Sequence, residues 1–268
     1  MHGGDASGPM SAFDALLYRG DVDPRTRANL AAAYVLETAP TREQAIEAFD
    51  RASREIVRLR QHVVAPPWPV FLPSWVVDPD FELSRHLRFE RLPPRAGLRH
   101  LLDAVQREMA EPFDPAHPLW QAVVYEGLPR GRAGLLFRMS HAVTDGVGAV
   151  RLFGALFDTE AEPARRPAPP PAIPEDVTPG ELQRAELARL PATLADAAGS
   201  LALSAARAAA RAALYPRRSA ARTEEYVRSL GRIFGAQAKP SPLLAGRSLE
   251  RRLVALDVPL EALKRAGR

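Results

Sequence analysis

The chain has 268 residues, of which 46% are hydrophobic and 25% are charged, and it contains no cysteine. This length and composition are typical of a soluble globular protein with one large core or two smaller ones. The absence of cysteine excludes disulfide frameworks, iron–sulfur clusters, cysteine nucleophiles and thiolate zinc sites.

Charge is distributed unevenly along the chain. Residues 1–180 carry 20 basic and 24 acidic side chains, a net charge of −4, whereas residues 181–268 carry 16 basic and 8 acidic ones, a net charge of +8. The second part is therefore a candidate surface for an anionic partner. Arginine content without a nucleic-acid-binding motif does not indicate nucleic-acid binding, and we predict no nucleic-acid partner.

Membrane and targeting signals are absent from the sequence. The longest uncharged run, residues 61–77, contains four prolines and is shorter than the ~20 apolar residues that a membrane-spanning helix needs. The first ten residues lack a basic segment followed by an apolar one, so they do not form a signal peptide. We expect a cytoplasmic protein, with peripheral contact at the inner face of the membrane as a further option.

Apolar periodicity predicts the first elements. Residues 29–36 form an apolar run that predicts a buried strand. Thr41 and Gln44 fit a capping box at the start of a helix, whose apolar positions continue at three- and four-residue steps as far as Val63. The proline-rich stretch 64–79 predicts a loop carrying Trp68, Phe71 and Trp75. We expect these aromatic residues to close over the core, the alternatives being an apolar substrate channel or contact with a membrane.

The next elements alternate between strand and helix. Leu87 and Phe89 alternate with charged residues, a pattern that predicts an edge strand over 87–89. A helix is predicted over 97–110. Residues 119–126 and 133–139 are strand-like and flank a turn that contains Gly and Pro, so they predict a hairpin. A further helix follows the hairpin, and Asp145 stands at its N-cap position.

The remaining chain predicts the domain organisation. Seven prolines mark residues 160–180 as a linker after an N-terminal domain at 1–159. Residues 181–248 are interpreted as a helical connecting region with an alanine-rich helix at about 192–215. Residues 251–259 predict a strand and 259–268 the beginning of a helix. We interpret 249–268 as the first elements of a C-terminal domain that is otherwise missing.

One short segment carries candidate chemistry. The segment SHAVTDG places His141 after a predicted strand, with Asp145 four residues later and Gly146 beside it. A histidine can accept and return a proton near neutral pH, which suits general-base work on a hydroxyl or thiol. Taken alone, the same pattern fits a loop histidine and an N-cap aspartate. No third ligand is evident nearby, so we predict no metal and no cofactor.

The segment MSHAVTDGVG resembles the His-His-x-x-x-Asp-Gly motif of bacterial wax ester synthase/acyl-CoA:diacylglycerol acyltransferases, which belong to the chloramphenicol-acetyltransferase-like, CoA-dependent superfamily. Pro118, Leu119 and Trp120 resemble the family's Pro-Leu-Trp motif, and the segments 11–21, 75–97 and 241–267 are similar to other stretches of the family. The resemblance implies an α/β (α+β layered) fold, with a mixed sheet flanked by helices and the start of a second, similar domain.

Two features depart from the family pattern. Ser140 stands where the family has its first histidine, and the sequence ends before the family's Asn-Asp motif and second domain. The resemblance implies that His141 is the general base, that Asp145 supports the motif loop, and that the channel between two domains is only half present. Ser140 is expected to tune activity, and Pro118, Leu119 and Trp120 are expected to be structural.

The implied function is transfer of a fatty acyl group from acyl-CoA, as a substrate, to diacylglycerol or a long-chain alcohol. The partners would be these lipids, the missing C-terminal domain, and a membrane or lipid-droplet surface. Two alternatives remain: another superfamily acyltransferase or condensation domain that uses a carrier-protein thioester, and a catalytically lapsed homologue that binds lipid.

Overall fold

The computed structural model describes residues 7–144, 146–157, 167–214, 252–255 and 258–266. The chain divides into two compact units, one made of residues 1–182 with 249–268 and the other of residues 183–248. The described residues of the second unit all belong to one helix, α6 (Pro179–Leu214). The candidate site lies in the first unit.

A four-stranded mixed sheet is the centre of the first unit. Its strands lie in the order β2 (Asn29–Leu36), β7 (Ala133–Ser140), β6 (Trp120–Glu126) and β5 (Leu87–Arg91). The β2–β7 and β7–β6 pairs are antiparallel, and β5 runs parallel to β6 at the edge. A second, three-stranded sheet contains β1 (Gly8–Pro9), β4 (Ser74–Val77) and β3 (Gln61–Val64) in that order.

The helices follow one another along the chain as α1 (Ala12–Gly20), α2 (Arg42–Glu55), α3 (Leu83–His86), α4 (Leu98–Ala110), α5 (Gly146–Leu156), α6, and α7 (Leu260–Ala266). Two 3₁₀ turns, Val57–Arg60 and Pro129–Gly131, complete the described elements.

The two faces of the larger sheet bury different side chains because successive residues of a strand point to opposite faces. On one face, Phe137 of β7 and Trp120 of β6 form a core with Phe49 of α2 and Leu152 of α5. On the other face, Leu136 and Val123 pack with Leu101 and Val105 of α4.

Gly134 allows α4 to lie close to the sheet. A Cβ at this position would overlap Leu101 Cδ1 and would lie 3.0 Å from Leu101 Cδ2. The absence of a side chain on β7 therefore sets how closely the helix approaches.

The sequence-based prediction of an α/β fold with a mixed sheet flanked by helices is confirmed. The edge strand that includes residues 87–89, the helix over 97–110 and the hairpin are all present. The strand at 29–36 is present as well, but its predicted burial is wrong, because β2 lies at the edge of the sheet and none of its residues is fully buried. The capping box of α2 is also present: Gln44 N donates to Thr41 Oγ1 at 3.2 Å, and Thr41 N donates to Gln44 Oε1 at 2.9 Å.

Two element predictions are wrong. The helix that begins after Thr41 ends at Glu55, because Ile56 has φ −115° and ψ 87°, and the apolar residues Leu59 and Val63 belong to a 3₁₀ turn and to β3. The stretch 64–79 contains a strand, β4, whose four residues are all buried. Trp75 of this strand is 2% exposed, as expected for a core residue, whereas Trp68 is 53% exposed.

The described part of the last segment also differs from the prediction. Residues 252–255 are not in a strand, and Leu253 instead contacts α4: its N–H donates to Gln106 Oε1 at 2.9 Å and its carbonyl accepts from Arg99 at 2.7 Å. The predicted helix after residue 259 is present as α7. Among the described residues, no helix is both long and apolar enough to cross a membrane.

Candidate active site

His141 lies immediately after the last residue of β7, and its position is fixed through the main chain. Its N–H donates to the carbonyl of Ala28 at 2.8 Å, just before β2. The preceding N–H, of Ser140, donates to the carbonyl of Leu119 at 2.9 Å, just before β6. Since β2 and β6 lie on either side of β7, both neighbouring strands hold the loop that carries the imidazole.

Ser140 fixes the same loop through its side chain. The residue is fully buried, and its Oγ donates to Asp21 Oδ2 at 2.5 Å and accepts from the Ala142 N–H at 3.1 Å. The other carboxylate oxygen of Asp21 accepts from the Ala28 N–H at 2.9 Å. Asp21 therefore connects Ser140, which precedes His141 in the chain, to Ala28, whose carbonyl accepts from the His141 N–H.

The His141 side chain is partly exposed. Among the described residues, none forms a hydrogen bond with its imidazole. A partly exposed imidazole on a fixed backbone can exchange a proton with a molecule bound beside it.

The remaining motif residues are placed as follows. Gly146 is the first residue of α5. Asp145 and its predicted N-cap role lie outside the described residues. Within the described ranges, no cluster of three or more His, Asp or Glu side chains is arranged to hold a metal ion.

The Pro-Leu-Trp segment lies beside the loop of His141. Leu119 supplies the carbonyl that accepts from Ser140, and the Trp120 N–H donates to the carbonyl of Pro118 at 2.9 Å. The Trp120 side chain is fully buried, and its Nε1 donates to the carbonyl of Leu59 at 2.7 Å. These contacts join the segment to both the core and the candidate site.

A buried histidine stacks on Trp120. The ring of His86 lies 4.8 Å from that of Trp120 and 5.3 Å from that of Phe81, and its Nδ1 donates to the Trp120 carbonyl at 2.9 Å. Burial lowers the pKa of His86 below its ordinary value of 6.5. The neutral form is therefore favoured, which fits a ring that packs against the core.

The α4 face of the sheet carries buried polar groups near its His141 end. Arg138 is 1% exposed and donates to the carbonyl of Glu111 at 2.7 Å and to Gln121 Oε1 at 2.5 Å, and its guanidinium lies 4.6 Å from the ring centre of Phe113. Burial lowers the pKa of Arg138 from its ordinary value. Sequence reasoning missed this residue because a strand-like run does not show whether an arginine within it is buried or exposed.

Sequence reasoning also missed Asp21. The residue directly follows α1, and its N–H donates to the carbonyls of Leu17 and Tyr18 at the end of that helix. Its contact with Ser140 joins residues 119 positions apart. No local pattern could have revealed this contact.

The fold and the site define a mixed α/β domain that presents a histidine at the end of a central strand. Residues 10–268 match the family model described as the wax ester synthase/diacylglycerol acyltransferase catalytic domain. The chain belongs to this family, and the resemblance seen in the sequence is confirmed.

Curated relatives include a putative diacylglycerol O-acyltransferase of Mycobacterium tuberculosis H37Rv, which is 40% identical over 264 residues, covering 98% of this chain and 53% of that protein. Another, from Mycobacterium bovis, is 32% identical over 151 residues, covering 56% of this chain and 33% of that protein. The chain thus spans about half the length of the first of these relatives.

Solved structures with a similar fold include the wax ester synthase/diacylglycerol acyltransferase of Marinobacter aquaeolei VT8, at 23% identity and a TM-score of 0.43, covering 54% of this chain and 37% of that one. The starter condensation domain of rhizomide synthetase is another, at 16% identity and a TM-score of 0.47, covering 56% of this chain and 36% of that one.

Proposed function

We propose that this chain is the histidine-bearing part of an O-acyltransferase that moves a fatty acyl group from acyl-CoA to diacylglycerol or a long-chain alcohol. One observation carries the proposal. In a chain of this family, the histidine of the motif is partly exposed, and main-chain hydrogen bonds of the histidine and of the residue before it hold them to the residues that directly precede the strands on both sides.

His141 acts as the general base. It accepts the proton of the acceptor hydroxyl while the oxygen attacks the thioester carbonyl carbon, which becomes tetrahedral. The carbon–sulfur bond then breaks, the ester is released, and His141 returns the proton to the CoA thiolate. This direct route forms no acyl-enzyme, which agrees with a sequence that has no cysteine.

The other motif residues support this base. Asp145 and Gly146 shape the loop that follows His141, and Ser140 holds the loop to Asp21. Pro118, Leu119 and Trp120 are structural, since Leu119 receives a loop hydrogen bond and Trp120 fills the core. A second domain, in the part of such proteins that this chain does not span, completes the substrate channel.

A radiolabelled acyl-CoA assay on the full-length protein, with several alcohols as acceptors, tests the proposal. His141→Ala should abolish ester formation while thermal unfolding stays near that of the wild type. His62→Ala, on β3, is a control that should retain activity. Near-normal turnover in His141→Ala would overturn the assignment.

The same assay separates the two rival functions. A condensation-type enzyme would transfer the acyl group only from a carrier-protein thioester, so it would be active with that donor and inactive with acyl-CoA. A catalytically lapsed homologue would bind radiolabelled lipid and turn over neither donor. Ester formed from acyl-CoA excludes both.

We also propose that the protein works at the cytoplasmic surface of a membrane or lipid droplet. Phe13 and Leu16 of α1 are 63% and 66% exposed, and Val70, in the loop between β3 and β4, is 78% exposed. Arg19 of α1 donates to the carbonyls of Pro69 and Phe71 at 2.8 and 2.9 Å, so these apolar groups belong to adjacent segments. Such a surface suits partial insertion among lipid head groups.

A further inference from the structure

The histidine that precedes the Pro-Leu-Trp segment takes no part in the mechanism above. The His117 side chain is partly buried and lies between a carboxylate and a guanidinium. Its Nδ1 is 3.2 Å from Asp78 Oδ2, and its Nε2 is 2.6 Å from Arg85 Nη1. Asp78 directly follows β4, and Arg85 belongs to α3. The imidazole therefore joins the loop before β6 to two other segments of the chain.

The two contacts determine which nitrogen of the imidazole carries the proton. A guanidinium only donates hydrogen bonds, so Nε2 of His117 accepts from Arg85. Nδ1 then carries the proton and donates to Asp78, whose ionised carboxylate only accepts. Both contacts are therefore satisfied by a single form of the ring, the neutral imidazole with its proton on Nδ1.

Asp78 is a rigid anchor for this hydrogen bond. The residue is buried, and its N–H donates to the carbonyl of Arg60 at 2.8 Å. Its Oδ1 accepts from the Asp80 N–H at 2.9 Å, and its Oδ2 faces His117. A buried carboxylate that loses a donor is left poorly solvated, which is unfavourable. The position of His117 is therefore tied to a carboxylate that is itself fixed.

The residues after His117 form a tight turn that directs the Leu119 carbonyl. The Trp120 N–H donates to the carbonyl of Pro118, two residues earlier, which is the hydrogen bond of a γ-turn centred on Leu119. The proline ring fixes φ at the start of this turn. Since the Leu119 carbonyl accepts from the Ser140 N–H at 2.9 Å, the orientation of the turn affects the residue that precedes the candidate base.

Histidine side chains contact both ends of the turn. After it, His86 Nδ1 donates to the carbonyl of Trp120, and ring stacking in the core also holds this end. Before it, His62 Nδ1 donates to the carbonyl of Ala116 at 3.0 Å, but this bond is exposed and water can replace it. The contacts of His117 are more buried, so we expect them to determine where the turn begins.

We propose that His117 is a positioning residue for acyl transfer. Its hydrogen bond to Asp78 orients the turn, and the Leu119 carbonyl then holds the N–H of Ser140. His141 follows Ser140 directly, so the imidazole of the base moves with this anchor. His117 itself does not contact the reacting atoms. This inference rests on the proposed function, since it concerns how the base of that reaction is placed.

Amide hydrogen exchange of the full-length protein, resolved to single residues, tests this coupling without turnover. His117→Leu removes the donor to Asp78 and should raise the exchange rate of the Ser140 amide at least tenfold, because the Leu119 carbonyl releases it more often. His117→Asn places an N–H donor near the position of Nδ1 and should keep exchange within about threefold of the wild type. His62→Ala, which removes the exposed contact, is the matched control and should exchange like the wild type.

The acyl-transfer assay supplies a second measurement. His117→Leu should lower kcat at least tenfold and change the KM for acyl-CoA less than about threefold, because the base is displaced while substrate contacts are kept. His117→Asn should recover kcat to within about threefold of the wild type. A residue that only stabilised the fold would lower the midpoint of thermal unfolding and leave kcat of the folded protein unchanged.

Three results would overturn the proposal. They are wild-type exchange of the Ser140 amide in His117→Leu, an equal increase at every amide of β7, and a His117→Asn variant that behaves like His117→Leu. If His117→Leu does not fold, nitrogen-15 spectra of the wild-type imidazoles still test the geometry, since a His117 proton on Nε2 would contradict it. Absence of ester formation by the wild type would count against the proposed function alone, because the exchange measurements need no turnover.

Discussion

The hydroxyl of Ser140 donates a 2.5 Å hydrogen bond to the carboxylate of Asp21, and the same carboxylate accepts from the N–H of Ala28. Ser140 therefore does more than occupy the position of a missing histidine. It connects the end of β7 to the segment before β2, and His141 is the next residue along the chain.

Ser140→Ala should lower both stability and turnover. The substitution leaves Asp21 with one fewer partner, which costs about 1–3 kcal/mol when the group is poorly solvated. Loss of this contact also loosens the loop of His141, so kcat should fall more than KM changes. Chemical denaturation and steady-state assays measure the two effects.

A matched control is Ser53→Ala, because Ser53 is fully buried and donates to the Asp50 carbonyl on α2. It should lose stability and keep kcat. If Ser140→Ala reduced stability and left kcat unchanged, the contact with Asp21 would be structural only.

Gly134→Ala should destabilise the fold by about 1–3 kcal/mol, as expected for overpacking in a core. The added methyl overlaps the end of the Leu101 side chain, so either Leu101 must change its rotamer in the core or α4 must move away from the sheet. Urea unfolding measures the loss. Gly154→Ala in α5, where a Cβ meets nothing within 4 Å, should instead stabilise by about 0.5–1 kcal/mol. A neutral Gly134→Ala would contradict the close approach of α4.

His86 should make stability depend on pH in the acid range. Burial lowers the pKa of His86 in the folded protein. Below pH 6.5 the histidine therefore binds a proton in the unfolded chain that it does not bind in the folded protein. The free energy of unfolding should therefore fall as pH decreases from 6.5 towards the folded pKa, by up to about 1.4 kcal/mol per pH unit.

His86→Phe retains a ring between Phe81 and Trp120 and removes this contribution. The unfolding free energy of the wild type minus that of the variant, followed from pH 7.5 to 5, should decrease as the pH falls. Nearby Asp78, Arg85 and His117 remain in both proteins, so their contributions largely cancel in the difference. A constant difference would contradict a neutral buried His86.

Leu16→Asp with Val70→Asp should reduce binding to lipid vesicles at least fivefold, because both changes place charge on the exposed apolar surface. Co-sedimentation with vesicles measures the effect. Val150→Asp, a 72% exposed valine on α5, is the control and should bind like the wild type. Equal losses in all variants would show that charge, and not this surface, governs vesicle binding.

Local sequence patterns were sufficient to predict much of the secondary structure of the first unit. The capping box at Thr41 and the two strand-like runs around the turn of the hairpin depend on neighbouring residues, so they are visible in one chain. The end of α2 was missed because apolar residues continue at helical spacing past Ile56. The backbone nevertheless leaves the helical conformation at that residue. β4 was missed because prolines on both sides of the segment masked four buried residues.

The candidate site was only half visible in the sequence. The motif and its family resemblance identify His141, but the groups that hold it come from Asp21, Ala28 and Leu119, which are distant in sequence. The cavity between residues 24–29, α4 and residues 252–253 likewise combines three segments that are distant in the sequence. Such sets arise from strand order and helix packing, which no local pattern contains.

The anchors of the His141 loop have a consequence for how the chain can diverge. The Ala28 and Leu119 groups that receive its hydrogen bonds are main-chain carbonyls, which every amino acid possesses. Point substitutions at these two positions therefore leave the anchors in place. An insertion or deletion in β2 or β6 would shift the register of that strand and move the imidazole. The number of residues in these two strands is therefore constrained more than their identity.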